Sequence, residues 1–414
     1  MLFFYEGVQH RGERGGHGGH WWTDRLPKDP KLAAELLLER SPVIDGHIDL
    51  PWAMRMLSAN NVSAIDLESP TAGHVDIPRL RKGKVGGFFW SVYVPCSKDI
   101  GQDEGEDHLQ STWRVRDTLE QIDVTHLLVN KFKDTFTLAR TAADVRQAIA
   151  EGKIASIIGL EGGHHLGNSL SSLRQYYALG ARYMTLTHTC NNAFAGSSGM
   201  VPGHLVGSSD IELGTGLSSL GRTLIREMNR LGMLIDLSHV SDATALDALT
   251  LTRAPVIWSH SSARALRNIP RNVPDFVLQK VGEGKGKVDG VVMVNFYPLF
   301  VSDDEDAADV KAVADHVDHI AGVIGKKHVG IGSDYDGITS TPHGLEDVST
   351  YPALFAELLS RGWSARDLSG LAGANVLRVM EGAESVAAQM AREGVEPAYE
   401  VYKKRLDLPT KNEL

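Results

Sequence analysis

Cysteine is scarce in this chain, with only Cys96 and Cys190 in 414 residues. Two sulfurs cannot build a four-thiolate zinc site or a framework of several bridges. They leave one disulfide or two buried thiols, and because nothing in the composition marks an oxidising compartment, composition alone favours free thiols. Long apolar runs are missing as well. Nothing approaches the roughly 18 consecutive apolar residues that span a bilayer, and the apolar cluster in residues 1–8 is too short for the core of a secretory signal. The expectation is a soluble, cytoplasmic protein with no membrane span, secretion being the alternative if the N-terminus extends further. There is no excess of positive charge: 42 lysines and arginines stand against 52 aspartates and glutamates, and the net charge of -10 argues against a nucleic-acid partner. The last four residues, Lys411 to Leu414, loosely match a retrieval signal of the endoplasmic reticulum, but without a signal for import they read as a polar tail.

The glycine-rich phosphate loops of nucleotide-binding folds are also absent. Neither G-x-G-x-x-G nor a P-loop follows the first apolar run, and Gly214-Thr215-Gly216 lacks a preceding strand, so it reads as a loop and helix cap. No repeat of solenoid period interrupts the chain.

With 42% apolar and 23% charged residues, a large core can form. Residues 1–30 carry a glycine and histidine cluster with His10, His17 and His20, followed by Trp21 and Trp22, without helical or strand period. They read as an N-terminal arm outside the core. After a helical stretch at Leu32 to Glu39 come eight short apolar segments that read as strands: Val43 to Asp45, Gly86 to Val94, Ala155 to Leu160, Tyr183 to Leu186, Met233 to Leu237, Val256 to Trp258, Val291 to Asn295 and Val329 to Gly332. Helical patterns separate them at Asp107 to Lys131, Ala142 to Glu151, Leu217 to Leu231, Ala243 to Leu251 and Ala307 to Ile324, and another follows at Pro352 to Arg361. Near-continuous apolar strands alternating with helices imply a parallel sheet covered on both faces, and eight of them imply an α/β fold of the (β/α)8 TIM type. The organisation expected is an arm over 1–30, one catalytic domain over 31–385 and a C-terminal helical extension over 386–414.

Polar residues follow those strands. The first ends in Ile44-Asp45-Gly46-His47-Ile48-Asp49, where the period of two lets His47 and Asp49 face one centre while Ile48 packs behind. The third ends in Gly159-Leu160-Glu161-Gly162-Gly163. A carboxylate directly after a buried run is costly to desolvate unless a cation or donors meet it, which makes Glu161 a candidate bridge between two metals; capping a helix near Gly163 is the alternative. His164 and His165 are weaker rivals beyond the strand end. The fifth and sixth strands end in Ser238-His239 and Ser259-His260, a matched pair of imidazoles with Asp236 available to hold their other nitrogens. The fourth, seventh and eighth contribute His188, Asn295 with Tyr297, and Asp334. Barrels keep their active sites where the strands end, so a scatter of ligands over more than half the chain can converge at one mouth.

These motifs, with Arg271-Asn272-Val273-Pro274 and Gly332-Ser333-Asp334-Tyr335-Asp336-Gly337, occur in the order found in the renal or membrane dipeptidases, and from about Pro42 to Met380 the chain resembles that family of binuclear zinc peptidases. The resemblance implies two zinc ions per chain, one on His47 and Asp49, the other on His239 and His260, with Glu161 bridging. It implies that His188 binds substrate near the scissile carbonyl, that Arg271 grips the substrate carboxylate, and that Asp334 handles the free amine and protons. It also implies a Cys96–Cys190 disulfide, against the compositional preference, and a homodimer.

The chemistry implied is hydrolysis of a dipeptide by a metal-bridging hydroxide, with tolerance of a D-residue at the second position. No protein nucleophile is needed, in keeping with the absence of G-x-S-x-G. A guanidinium at fixed distance from the metals explains a restriction to two residues, although Arg271 could instead pair with Asp275 inside a local turn. Phe300 and Tyr297 are candidate pocket walls. Two other readings stay open: a barrel metallohydrolase acting on a non-peptide amide, lactam or lactone, and a metal-bound scaffold without activity.

Overall fold

The computed structural model describes residues 26–96, 113–201, 204–205 and 216–403. The N-terminal arm up to residue 25, the first part of the helical pattern at 107–112, residues 214–215 and the last eleven residues lie outside the described residues.

Eight strands form the barrel: β1 Val43–Ile48, β2 Val85–Tyr93, β3 Ile154–Glu161, β4 Ala181–Thr185, β5 Leu234–Asp236, β6 Val256–Trp258, β7 Gly290–Val294 and β8 Val329–Ile331. Their order is β2-β1-β8-β7-β6-β5-β4-β3, and β3 pairs back onto β2 through seven residue pairs from Gly87 with Ala155 to Tyr93 with Glu161, which closes the ring. Every pairing in it is parallel. A short strand, Phe136–Leu138, adds to β3 outside the barrel. Closure leaves the eight strands of the ring without an edge and covers both faces of each, so β1, β3 and β7 are buried at every position, including the polar Asp45, His47 and Glu161.

The surrounding helices start where local chemistry dictates. Thr141 and Asp144 form a reciprocal capping box at the start of Ala142–Ala150, and Ser218, Ser241 and Asp309 cap Ser219–Leu231, Asp242–Leu251 and Val310–Ile324. Among the longer described helices, Leu50–Ser58 and Leu170–Leu179 have no counterpart in the sequence pattern, and Asn375–Arg392 begins eleven residues before the C-terminal helical extension expected from 386. The first begins directly at the end of β1 with Pro51 in its first turn, a place where proline is tolerated because that N–H needs no helical partner. The last packs Val376, Leu377, Val379 and Met380 against Ile44, Ala155, Leu234 and Val291, which come from the first halves of the strands. Leu377 is fully buried there, and its replacement by alanine would cost about 2–5 kcal/mol. Apolar packing thus fills the end where strands begin and leaves the polar residues to the end where they finish.

Among the described residues no helix is long and apolar enough to cross a membrane.

Candidate metal centre

The first strand is fixed at its end by Asp45. This buried carboxylate accepts from the His47 N–H at 2.8 Å, the Ser333 N–H at 3.1 Å and the Tyr351 hydroxyl at 2.6 Å, tying β1 to the segment after β8. Burial pushes Asp45 up to about 6, and the three donors limit that rise. The Asp334 N–H donates to the His47 carbonyl at 3.0 Å and the Asp49 N–H to the Tyr335 carbonyl at 2.9 Å, so the two strand ends run side by side. Gly337 makes their approach possible, because a Cβ there would lie 2.2 Å from Asp49 Oδ2.

From that frame His47 Nε2 comes within 3.2 Å of Asp49 Oδ2 and 3.5 Å of Glu161 Oε1. Glu161, the last residue of β3, also faces His239 Nε2 at 3.1 Å, His260 Nε2 at 3.2 Å and His188 Nε2 at 3.8 Å, all through Oε1. His239 Nε2 and His260 Nε2 are 3.0 Å apart, and the rings of His47 and His260 stack at 3.7 Å. His239 and Asp334 hold left-handed φ values of 63° and 68°, a conformation that costs about 1–3 kcal/mol for a side chain with Cβ and that clusters at functional sites.

What stands behind each imidazole differs. His260 Nδ1 meets Ser259 Oγ at 2.7 Å, and that hydroxyl donates to Asp236 Oδ2 at 2.6 Å. Asp236 also accepts from the Ser238 and Ser259 N–H groups and from Thr185 Oγ1. The sequence suggests a direct contact with Asp236; the contact runs through Ser259. His47 Nδ1 meets Tyr183 Oη at 2.8 Å, a partner the sequence reading missed because a tyrosine inside an apolar strand carries no local signal.

Electrostatics follow from burial. It holds His239 and His260 well below the ordinary imidazole value, hence neutral and with lone pairs to offer. Burial opposes a charge on Glu161 too, but His47, His188 and hydrogen bonds from His239 and His260 outweigh it and hold the carboxyl well below its usual range. Asp49 is raised by burial. Asp334 is raised well above the usual range by burial and by Asp49 and Glu161, against the pull of His47 and Arg271.

The expected substrate residues share this mouth. His188 lies beside the ring of Tyr93 at 4.7 Å, has Thr189 Oγ1 at 3.2 Å from Nδ1, and is pushed down to about 4 by burial. Asn295 Nδ2 donates to Asp334 Oδ2 at 2.8 Å. Arg271, 3% exposed, donates to Ser261 Oγ at 2.6 Å and to the His260 carbonyl at 2.7 Å; burial lowers it to about 10, still a cation at neutral pH. The local turn with Asp275 does not form, since Asp275 pairs with His319 at 2.8 Å. Phe300 lies under the guanidinium at 5.5 Å, and Tyr297 packs on Phe300 at 5.0 Å.

His164 and His165 do not join the cluster. His164 Nε2 donates to the Val94 carbonyl at 2.7 Å and His165 Nε2 accepts from the Val94 N–H at 3.1 Å, so both hold the end of β2. Nor does Glu161 cap a helix: the short 3-10 turn after it starts from Gly162 without a side-chain cap. Cys96 and Cys190 form a disulfide with Cα atoms 5.9 Å apart. The compositional preference for free thiols fails because composition cannot see two strand ends bringing together residues 94 positions apart.

The donor set suits a divalent metal. Imidazole lone pairs and carboxylate oxygens crowd within 4.8 Å in the groups His47, Glu161 and His260; Glu161, His188 and His239; and His47, Asp49 and Asp334. His47 Nε2 and Asp49 Oδ1 are buried without a hydrogen-bond partner; such orphaned polar atoms are costly, and a cation would satisfy both.

A parallel barrel carrying such a cluster at the ends of its strands defines a barrel metallohydrolase. Residues 32–394 match the family model of the membrane dipeptidases, peptidase family M19, and the chain belongs to that family of metallo-dipeptidases. Its structure is similar to a metallo peptidase from Rhodobacter sphaeroides liganded with a phosphinate mimic of the dipeptide L-Ala-D-Ala, at 28% identity and TM-score 0.70, over 83% of this chain and 99% of that one. The dipeptidase AC of family M19 is 29% identical at TM-score 0.70, over 83% and 98%. The probable dipeptidase PvdM from Pseudomonas aeruginosa shares the fold at 23% identity and TM-score 0.75, over 87% and 100%.

Proposed function

We propose that this metallo-dipeptidase uses two zinc ions per chain, held by His47 with Asp49 and by His239 with His260 and bridged by Glu161, to hydrolyse dipeptides, including those with a D-residue at the second position. The observation that carries the reading is the convergence of four imidazoles and one buried carboxylate from five strand ends, beside a buried guanidinium. Bound there, a zinc pair supplies Lewis-acid polarisation of the scissile carbonyl and acidifies a water to a nucleophile at neutral pH.

The protein's own residues do the rest. His188, neutral with Thr189 at its Nδ1, directs an Nε2–H at the oxygen that becomes anionic. Asp334, partly exposed and held high enough to exchange protons, takes the proton of the attacking water and returns it to the leaving amine. Asp334 also meets the substrate's free amine. Arg271 receives the C-terminal carboxylate and sets a length of one residue beyond the scissile bond; its anchoring by Ser261 and the His260 carbonyl ties that ruler to a metal ligand. Tolerance of a D-residue is supported by the L-Ala-D-Ala mimic bound to the Rhodobacter relative. Assembly as a homodimer belongs to the same proposal and is checked by sedimentation of the full chain.

The test is a dipeptide library varied in side chain and stereochemistry, run beside tripeptides, lactams and lactones. Cleavage of L-L and L-D dipeptides with tripeptides untouched is the result expected. Preferential turnover of lactams or lactones would transfer the site to the non-peptide reading.

A further inference from the structure

Tyr183 is fully buried inside the barrel, yet it ends in a hydroxyl. A buried phenol oxygen is costly unless it has a partner. Its position is prepared by the neighbouring strand. Tyr183 of β4 is in register with Gly159 of β3, and a Cβ on Gly159 would lie 2.1 Å from Tyr183 Cζ. Any other residue at 159 would occupy the space of the ring. Phe89 of β2 packs at 5.0 Å. With those two neighbours the ring reaches across to β1 and places Oη 2.8 Å from His47 Nδ1.

His47 directs Nε2 at Asp49 and Glu161. For Nε2 to offer a lone pair, the ring proton must sit on Nδ1, and the phenol oxygen is the acceptor that keeps it there. We infer that Tyr183 is a positioning residue that fixes the tautomer and orientation of His47, and so sets the metal affinity of the half-site formed by His47 and Asp49. The inference rests on the two-metal reading above and adds an asymmetry to it. His260 is backed through Ser259 by the carboxylate of Asp236, which increases its basicity. His47 is backed by a neutral phenol, which orients the ring without adding charge. The half-site of His47 and Asp49 has a carboxylate ligand of its own; the partner behind its imidazole needs only to hold it still.

The experiment compares Tyr183→Phe, Gly159→Ala, Ser259→Ala and His47→Ala with the parent in the full-length chain, by competing zinc against a chelator of known affinity and recording the thermal midpoint. Tyr183→Phe keeps the ring and should melt within a few degrees of the parent while one of its two zinc equivalents weakens about 10- to 100-fold. Gly159→Ala should weaken the same equivalent by displacing the ring, and Ser259→Ala should weaken the other. A second readout is the 15N signal of His47 in zinc-loaded protein, which should report protonated Nδ1 in the parent. Unchanged zinc release by Tyr183→Phe, while His47→Ala loses one equivalent, overturns the role of Tyr183 alone. Retention of both equivalents by His47→Ala overturns the underlying ligand assignment, and this inference with it.

Discussion

Asn295 Nδ2 donates to Asp334 Oδ2 at 2.8 Å, and Asn295 Oδ1 accepts from the Tyr297 N–H at 2.6 Å. The amide thus joins the end of β7 to the carboxylate proposed to move the proton, which sits on a left-handed backbone. A donor to the ionised form of an acid favours that form. Asn295→Ala should lower kcat by about 10- to 100-fold, the scale of a lost hydrogen bond to a charged group, and leave metal content unchanged. The acid limb of the kcat/KM profile should move to higher pH, since Asp334 would then ionise later. A profile in the parent position would take Asn295 out of the proton path.

Arg271 makes a forked pair of contacts, with Ser261 Oγ and the His260 carbonyl, while its Nε remains without a partner. Lysine can reproduce the charge but not the fork. Arg271→Lys should raise KM for dipeptides by about 10- to 100-fold with kcat and zinc content far less affected. Equal KM values in variant and parent would remove Arg271 from substrate binding.

The Cys96–Cys190 bridge closes a loop of 94 residues and ends two positions from His188. A loop of that size gives about 4–5 kcal/mol by the chain-entropy account, and measured losses are usually about 2–5 kcal/mol. The Cys96→Ser/Cys190→Ser double variant should lose stability in that range by denaturant titration and bind dipeptides more weakly through a freer His188. Equal denaturation midpoints would show that the bridge contributes nothing to the fold.

His316 is buried on Val310–Ile324, where Nδ1 accepts from the Ala263 N–H at 2.9 Å and Nε2 donates to the Val301 carbonyl at 3.2 Å. Burial lowers it to about 4. An unfolded histidine titrates near ~6.5, so as pH falls below that value the unfolded chain takes up the proton first and folding stability declines until about pH 4. The contribution is on the order of 3 kcal/mol. His316→Gln, which retains a donor and an acceptor, should flatten this part of the stability profile; an identical slope would contradict the assignment.

Much of this was legible in the sequence because the fold repeats one signal eight times. Val256–Trp258 coincides with the segment read from the pattern, and the other strands shift by one to three residues at either end. The helix Leu50–Ser58 was missed because it follows a strand without a break, and the first part of Asn375–Arg392, before the extension expected from 386, was missed because its buried face is recognised only once the strands it covers are assembled. At the site, the polar residues that end strands stood out because charge directly after a buried run is expensive. Tyr183 and Ser259 did not, since their significance lies in a partner across the barrel or in the neighbouring residue's ring. The pairing of Arg271 could not be read locally either, because its acceptors come from the end of β6 and not from its own turn.

Glu161 is proposed to join two metal half-sites into one hydrolytic centre. The most direct measurement is titration of metal-free protein with zinc, following bound metal and dipeptide hydrolysis together, for the parent and Glu161→Gln. Two equivalents per parent chain are expected, with full activity only when both are bound, and at most one tightly held equivalent and no hydrolysis for Glu161→Gln. Full activity of the parent at one equivalent, or two tight equivalents in Glu161→Gln, would contradict it.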